Sequence, residues 1–154
     1  MPRLNKYYNY YRKVLTATTE LSTCTRVQVG AIIVRDGRIL VSGYNGSMPG
    51  QLHCGDVFTP DVMSKLTPEE YSEQHRLYSL YNEGHAEASA ISTAAKYGIA
   101  VNGCGIAVSH TPCSMCAKSI IIAGIKEVMY LEVYDREPEG LELLQTCGIK
   151  CIQI

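Results

Sequence analysis

With 154 residues, 46% of them hydrophobic and 19% charged, the chain has the size of one ordinary domain and is too apolar to stay disordered. Fourteen Lys and Arg stand against 15 Asp and Glu, so a formal net charge of −1 offers no global field to draw in a nucleic acid polymer, whereas a small anion needs only a local basic patch. The longest apolar runs, such as Gly30 to Val34 and Ser119 to Ile125, fall far short of the roughly 20 residues of a membrane span, and Met1 to Tyr11 is Tyr-rich and charged rather than a signal-peptide core. The expected setting is the cytoplasm, that of a host cell if the protein is viral, with no membrane partner. Seven cysteines, an odd number without a secretory signal, point to metal ligands or buried thiols rather than a disulfide scaffold.

Leu4 to about Ser22 lacks Pro and Gly and spaces Tyr7, Tyr8, Tyr11, Val14 and Leu15 as a helix would. Val27 to Val34 and Arg38 to Tyr44 are β-rich runs joined by Asp36-Gly37, a hairpin dipeptide. Asn45 to Leu66 is long, rich in Gly and Pro, and without periodicity, which predicts a functional loop that something must tie down. Thr67, Pro68 and Glu70 form an N-cap, a first-turn proline and a capping box for a helix running to about Tyr81. Glu83 to Tyr97 is Ala-rich and closes on Gly98, predicting a helix. The remainder alternates: strand Gly105 to Ser109, helix Pro112 to Ala123, strand Glu127 to Leu131, helix Gly140 to Cys147, strand Ile149 to Ile154. Such alternation predicts parallel pairing inside an α/β fold, a three-layer α/β/α sandwich around a mixed sheet of about five strands, in one domain spanning residues 1–154.

Two short motifs carry the chemistry. His85-Ala86-Glu87 opens one predicted helix and Pro112-Cys113-Ser114-Met115-Cys116 opens another. A spacing of three sets Cys113 and Cys116 on one helix face, about 5 Å apart at Cβ, near an N-terminus whose dipole favours the thiolate. With the neutral nitrogen of His85 they make three ligands, leaving one position of a tetrahedral zinc open, the mark of a catalytic rather than a structural site. Glu87 is the expected carrier of protons.

His-x-Glu followed by Pro-Cys-x-x-Cys is the signature of zinc nucleobase deaminases. Around it the chain closely resembles the deoxycytidylate deaminases, which hydrolyse dCMP to dUMP and ammonia and so supply dUMP for thymidylate synthesis. The resemblance spans nearly the whole chain: Cys24 with Gln28, Val29, Gly30 and Ala31, then Gly43-Tyr44-Asn45-Gly46, then the two motifs, then Ala123 to Lys126 and Tyr134-Asp135. It implies the cytidine deaminase type of sandwich. It also implies that Asn45 hydrogen-bonds the deoxyribose hydroxyl, that Tyr134 meets the substrate near its phosphate, that the pyrimidine lies against Ala31, and that Arg26 reaches the phosphate. Asn45 also reads as a turn residue, Tyr134 as a packing aromatic and Arg26 as a solvated cation.

Bacteriophage members of the family add a second zinc, whose ligands correspond to Cys24, Cys54, His75 and Glu83. His75 and Glu83 lie eight apart, so the helix must break near Tyr81 and Asn82 for both to reach one ion, and His53 is a rival ligand. Cys104, Cys147 and Cys151 read as buried thiols, and His110 departs from the small or apolar residue expected before the cysteine motif. The resemblance further implies a homo-oligomer, a hexamer foremost, activated by dCTP and inhibited by dTTP with Mg2+, with Gly43, Asn45 and Gln28 as effector contacts. A nucleic-acid-editing or free-nucleoside cytidine deaminase, and a nonenzymatic zinc-binding module, stand as alternatives.

Overall fold

The computed structural model describes residues 2–135 and 137–154, with residues 2–4 described through their backbone alone, so the side chain of Leu4 lies outside the described residues. Helix α1 (Pro2–Thr19) lays Tyr11 and Leu15 on one face of the sheet, against Ile32, Val34, Ala107, Met129 and Ile154. Strands β1 (Gly30–Arg35) and β2 (Arg38–Tyr44) pair antiparallel across Asp36 and Gly37, whose φ values of 52° and 75° are the positive angles a two-residue hairpin requires. Strand β1 begins three residues later than the β-rich run predicts. Residues Val27 and Val29 are held instead by the Asn45 amide, which accepts from Val29 N at 2.7 Å and donates to Val27 O at 2.8 Å in place of a ladder.

The long irregular segment folds into a two-residue strand β3 (Gly46–Ser47) and two single-turn helices, α2 (Cys54–Val57) and α3 (Pro60–Met63). Helix α4 (Pro68–Asn82) starts with the expected capping box, Glu70 N donating to Thr67 Oγ1 at 3.2 Å and Thr67 N to Glu70 Oε2 at 2.8 Å. It stops at Asn82, and β4 (Glu83–Gly84) turns away to pair with β3. That is the break the spacing of His75 and Glu83 demands. The Ala-rich helix predicted from Glu83 therefore starts later, as α5 (Ala86–Lys96).

Strand β5 (Gly105–His110), helix α6 (Ser114–Ile122), strand β6 (Glu127–Glu132), helix α7 (Glu139–Thr146) and strand β7 (Lys150–Gln153) complete the chain. The main sheet runs β2-β1-β5-β6-β7, antiparallel on the hairpin side and parallel from β5 to β7. Ala86, Ala90, Ala117, Ile120 and Leu144 of α5, α6 and α7 bury the second face against Ala31, Ile33, Ile106, Val108 and Val128. The three layers are α1, the sheet, and α5 to α7. Helix α5 sits unusually close to β2: a Cβ on Gly43 would lie 2.8 Å from the Ala90 Cα, so only glycine admits this approach. The fold thus gathers the starts of α5 and α6 and the C-terminal ends of β5 and β6 at one edge, where parallel α/β sheets leave room for ligands.

Candidate active site and second metal group

His85 and Cys113 are not inside their helices but are the N-cap residues of α5 and α6, with extended backbones at φ −79° and −66°. Pro112 accordingly precedes the cap rather than filling the first turn. A cap residue projects its side chain across the helix end, and the result is convergence: His85 Nδ1 lies 3.4 Å from Cys113 Sγ and 3.5 Å from Cys116 Sγ. These three donors form one of two groups in the described residues able to hold a metal ion. One imidazole nitrogen and two sulfurs are a zinc donor set, and three ligands leave a fourth position for water or substrate.

Their protonation fits that role. The Cys116 and His85 contacts pull the Cys113 thiol down to about 4, while the Cys113 sulfur holds His85 up at about 9. Cys116, buried and sharing a hydrogen bond with the Cys113 thiolate, keeps its proton well above the ordinary thiol range. A cation placed among the three would take over the positions of those protons.

Glu87, in the first turn of α5, is 4% exposed, and burial raises its carboxyl above the ordinary range. It lies two residues past His85, where the His85 and Cys113 charges act on it, yet it is not one of the converging donors. A buried carboxyl beside a metal but outside its ligand set is placed to carry protons. Glu137, exposed just before α7 and not singled out by the sequence reading, has its carboxyl raised by partial burial and then by the Cys113 charge. No motif marks it, because the chain brings it under that charge only through the β6 to α7 turn.

The second group is Cys24, Cys54, His75 and Glu83, whose ligand atoms all lie within 4.8 Å of one another. Cys24, Cys54 and His75 are buried, at 5%, 0% and 3% exposure. Burial lowers the His75 pKa and so favours the neutral imidazole that a metal needs. Cys54 Sγ accepts from Thr25 N at 3.1 Å. Glu83 offers Oε2 to the Ser79 hydroxyl, while its Oε1 is buried with no hydrogen-bond partner. An orphaned carboxylate oxygen among two sulfurs and an imidazole is what a missing cation would leave, and the four residues fit a closed tetrahedral zinc. His53, the rival ligand, is an exposed N-cap residue of α2 and stays outside the group. Phe58, Tyr71 and Tyr78 wall the group in, with Phe58 5.3 Å from the His75 ring, so the long loop is tied down around it.

The remaining sequence-predicted residues divide. Asn45 stands at the β2 end, but its Oδ1 already accepts from Ser22 Oγ at 2.6 Å and Val29 N at 2.7 Å, and Nδ2 donates to Val27 O. One N–H remains for a ligand, so contact with a sugar hydroxyl is limited to donation. Ala31 is fully buried in the core with Ala86 and Ala90. Gly43 is likewise packed against the α5 backbone, where a Cβ would meet Ala86 and Ala90. Arg26 lies over the Tyr71 ring, 5.9 Å from its centroid, and donates to Ser72 O, on the side of the second group rather than beside His85. Gln28 is exposed, and Tyr134 is half-buried just past β6, its N–H donating to Thr111 Oγ1 at 2.8 Å. His110 ends β5 with Nδ1 3.1 Å from Ser109 Oγ and Nε2 3.5 Å from Glu132 Oε2. Of the thiols read as buried, Cys104 is so, whereas Cys147 is exposed and Cys151 intermediate. A hollow of about 530 Å3 lies between the α1 tyrosines and the β1–β2 turn and shares no residue with either metal group.

Residues 4–132 match the family model for the cytidine and deoxycytidylate deaminase zinc-binding region. The chain is 40% identical over 133 residues to ComE operon protein 2 of Bacillus subtilis, covering 86% of this chain and 63% of that protein's length. It is 32% identical to the deoxycytidylate deaminase of Enterobacteria phage T4, covering 86% of this chain and 82% of that one. Among solved structures, the dCMP deaminase of cyanophage S-TIM5 in complex with dCMP and dUMP superposes with a TM-score of 0.76 at 29% identity, covering 100% of this chain and 98% of that one. On the strength of a family match over most of its length, laid over converging His85, Cys113 and Cys116, the chain belongs to the cytidine and deoxycytidylate deaminase zinc-binding family.

Proposed function

We propose that the chain hydrolyses dCMP to dUMP and ammonia, supplying dUMP for thymidylate synthesis, as one deaminase domain over residues 1–154. One observation carries the reading: Glu87 is a buried carboxyl with a raised pKa that lies beside three converging zinc donors without being one of them. The phage T4 relative and the cyanophage structure with dCMP and dUMP support the choice of substrate.

Zinc held by His85, Cys113 and Cys116 supplies the Lewis acidity that makes water acidic enough to react near neutral pH. Glu87 accepts the proton that water gives up as its oxygen adds to C4 of cytosine, and delivers that proton to N3. The same carboxyl then carries the second proton of that oxygen to the exocyclic amine. The C4–N bond breaks with its electron pair on nitrogen, ammonia departs, and the C4 carbonyl of dUMP remains. His85 and Cys113, fixed as helix caps, hold their donor atoms without needing loop order. Tyr134 and the spare N–H of Asn45 are the proposed nucleotide contacts.

Cys24, Cys54, His75 and Glu83 are proposed to hold a second, structural zinc, supported by the orphaned Glu83 Oε1. Assembly into a homo-oligomer, a hexamer foremost, is proposed by resemblance; Met115 and Ile122, spaced seven apart on α6 and 67% and 85% exposed, offer an apolar surface for it. Control by dCTP and by dTTP with Mg2+ is proposed by resemblance, with the exposed Gln28 as its contact. Among the described residues no helix is long and apolar enough to cross a membrane, in keeping with a cytoplasmic enzyme.

Ammonia release from dCMP, deoxycytidine, CMP, single-stranded DNA and tRNA, each with and without dCTP or dTTP, tests substrate and control together. Preference for dCMP is expected. Turnover confined to DNA or tRNA would move the chain to the editing deaminases, and zinc-loaded protein inert on every cytosine compound would make it a binding module.

A further inference from the structure

The β6 to α7 turn, which carries Tyr134 and Glu137, is fastened at both ends to the same three residues, Thr111, Pro112 and Cys113. At its start, the parallel ladder of β5 and β6 pairs His110 with Glu132, and Thr111 N continues it by donating to Glu132 O at 2.9 Å. Pro112 has no N–H with which to extend the ladder. The Thr111 side chain, 4% exposed, takes over: its Oγ1 accepts from Tyr134 N at 2.8 Å. At the other end, Gly140 in the first turn of α7 rests on the same segment, where a Cβ would collide with Pro112 O and lie 2.7 Å from the Cys113 carbonyl carbon.

We infer that Thr111 is a positioning residue that, with Gly140, clamps the Tyr134 turn onto the zinc-ligand segment and so sets the nucleotide-contacting side chain relative to the metal. The inference rests on the assignment of Tyr134 to the substrate. Thr111 itself touches no reacting atom. Its hydroxyl is the acceptor that the half-buried Tyr134 N–H loses if the oxygen is removed, and a donor left unpaired away from water drives the backbone to shift. The clamp therefore acts on substrate binding while leaving metal and proton transfer in place. Gly140 acts on both, because anything larger pushes on the Cys113 peptide.

The zinc-loaded enzyme is compared with Thr111→Val, nearly equal in volume, and Thr111→Ser, which keeps the hydroxyl. Amide exchange is read at Tyr134, with KM and kcat for dCMP and zinc content measured alongside. Thr111→Val is expected to exchange the Tyr134 amide and to raise KM by about tenfold, the size of one lost buried hydrogen bond, with kcat and zinc within about twofold. Thr111→Ser should restore exchange and KM. Wild-type exchange at Tyr134 in Thr111→Val would overturn the clamp, as would loss of zinc in step with activity or a serine variant as impaired as the valine. If the wild-type enzyme is inert on dCMP, the substrate assignment fails by itself, and the exchange rates still decide the clamp.

Discussion

Zinc affinity at the active centre should depend steeply on pH, and the residues fix the sign. Without a cation, Cys113 ionises at about 4, His85 holds its proton up to about 9, and Cys116 holds its own still higher. Between those limits the site carries two protons that zinc must displace, so affinity rises with pH by about a hundredfold per unit and falls as the solution is acidified. Competition with a chelator at two pH values one unit apart checks this, and pH-independent affinity would remove the proposed ligand set. At this scale the sequence was most legible where chemistry needs a side-chain type. The imidazole, two thiols and carboxyl declare themselves by spacing, and all four stand together in the fold. The close packing of Gly43 and Ala31 against α5 was not legible, because what matters there is the absence of a large side chain where α5 meets the sheet. A glycine needed for close approach looks, in one sequence, like any glycine.

The elements that place the site make two further predictions. Gly43→Ala sets a methyl 2.8 Å from the Ala90 Cα, and overpacking of this kind costs about 1–3 kcal/mol. Thermal unfolding should show a lowered midpoint, and an unchanged midpoint would mean that α5 can lift from β2 freely. Cys54→Ser removes a sulfur from the second group, so metal analysis should fall from two zinc ions per chain to one while dCMP turnover is largely kept. A wild-type content of one zinc would sink the second site. Helix α4 was readable from Thr67, Pro68 and Glu70, since caps are local. The ends of β1 and α5 were not, because a distant side chain or a metal-competent turn overrides local preference: the Asn45 amide holds Val27 to Val29 out of the ladder, and Glu83-Gly84 pairs with β3 instead of starting a helix.

Across the whole molecule the two metal groups are joined by one short covalent path. Glu83 of the second group is two residues from His85 of the first, and β4 between them pairs with Gly46-Ser47, next to Asn45. The long loop that looked structureless is thus the wall of a metal-competent box, and the sandwich presents its chemistry at the edge where β5 and β6 end. The three-layer architecture followed from the order of strand and helix, whereas the close seating of Gly140 on Cys113 could not be read, because it depends on how α7 docks. The most direct test is ammonia release from dCMP by the zinc-loaded protein and by Glu87→Ala, with zinc measured in both. Activity should fall by about 10²- to 10⁴-fold with zinc content unchanged. A Glu87→Ala protein that keeps its zinc and deaminates dCMP at the wild-type rate would contradict the role of Glu87 on which the account stands.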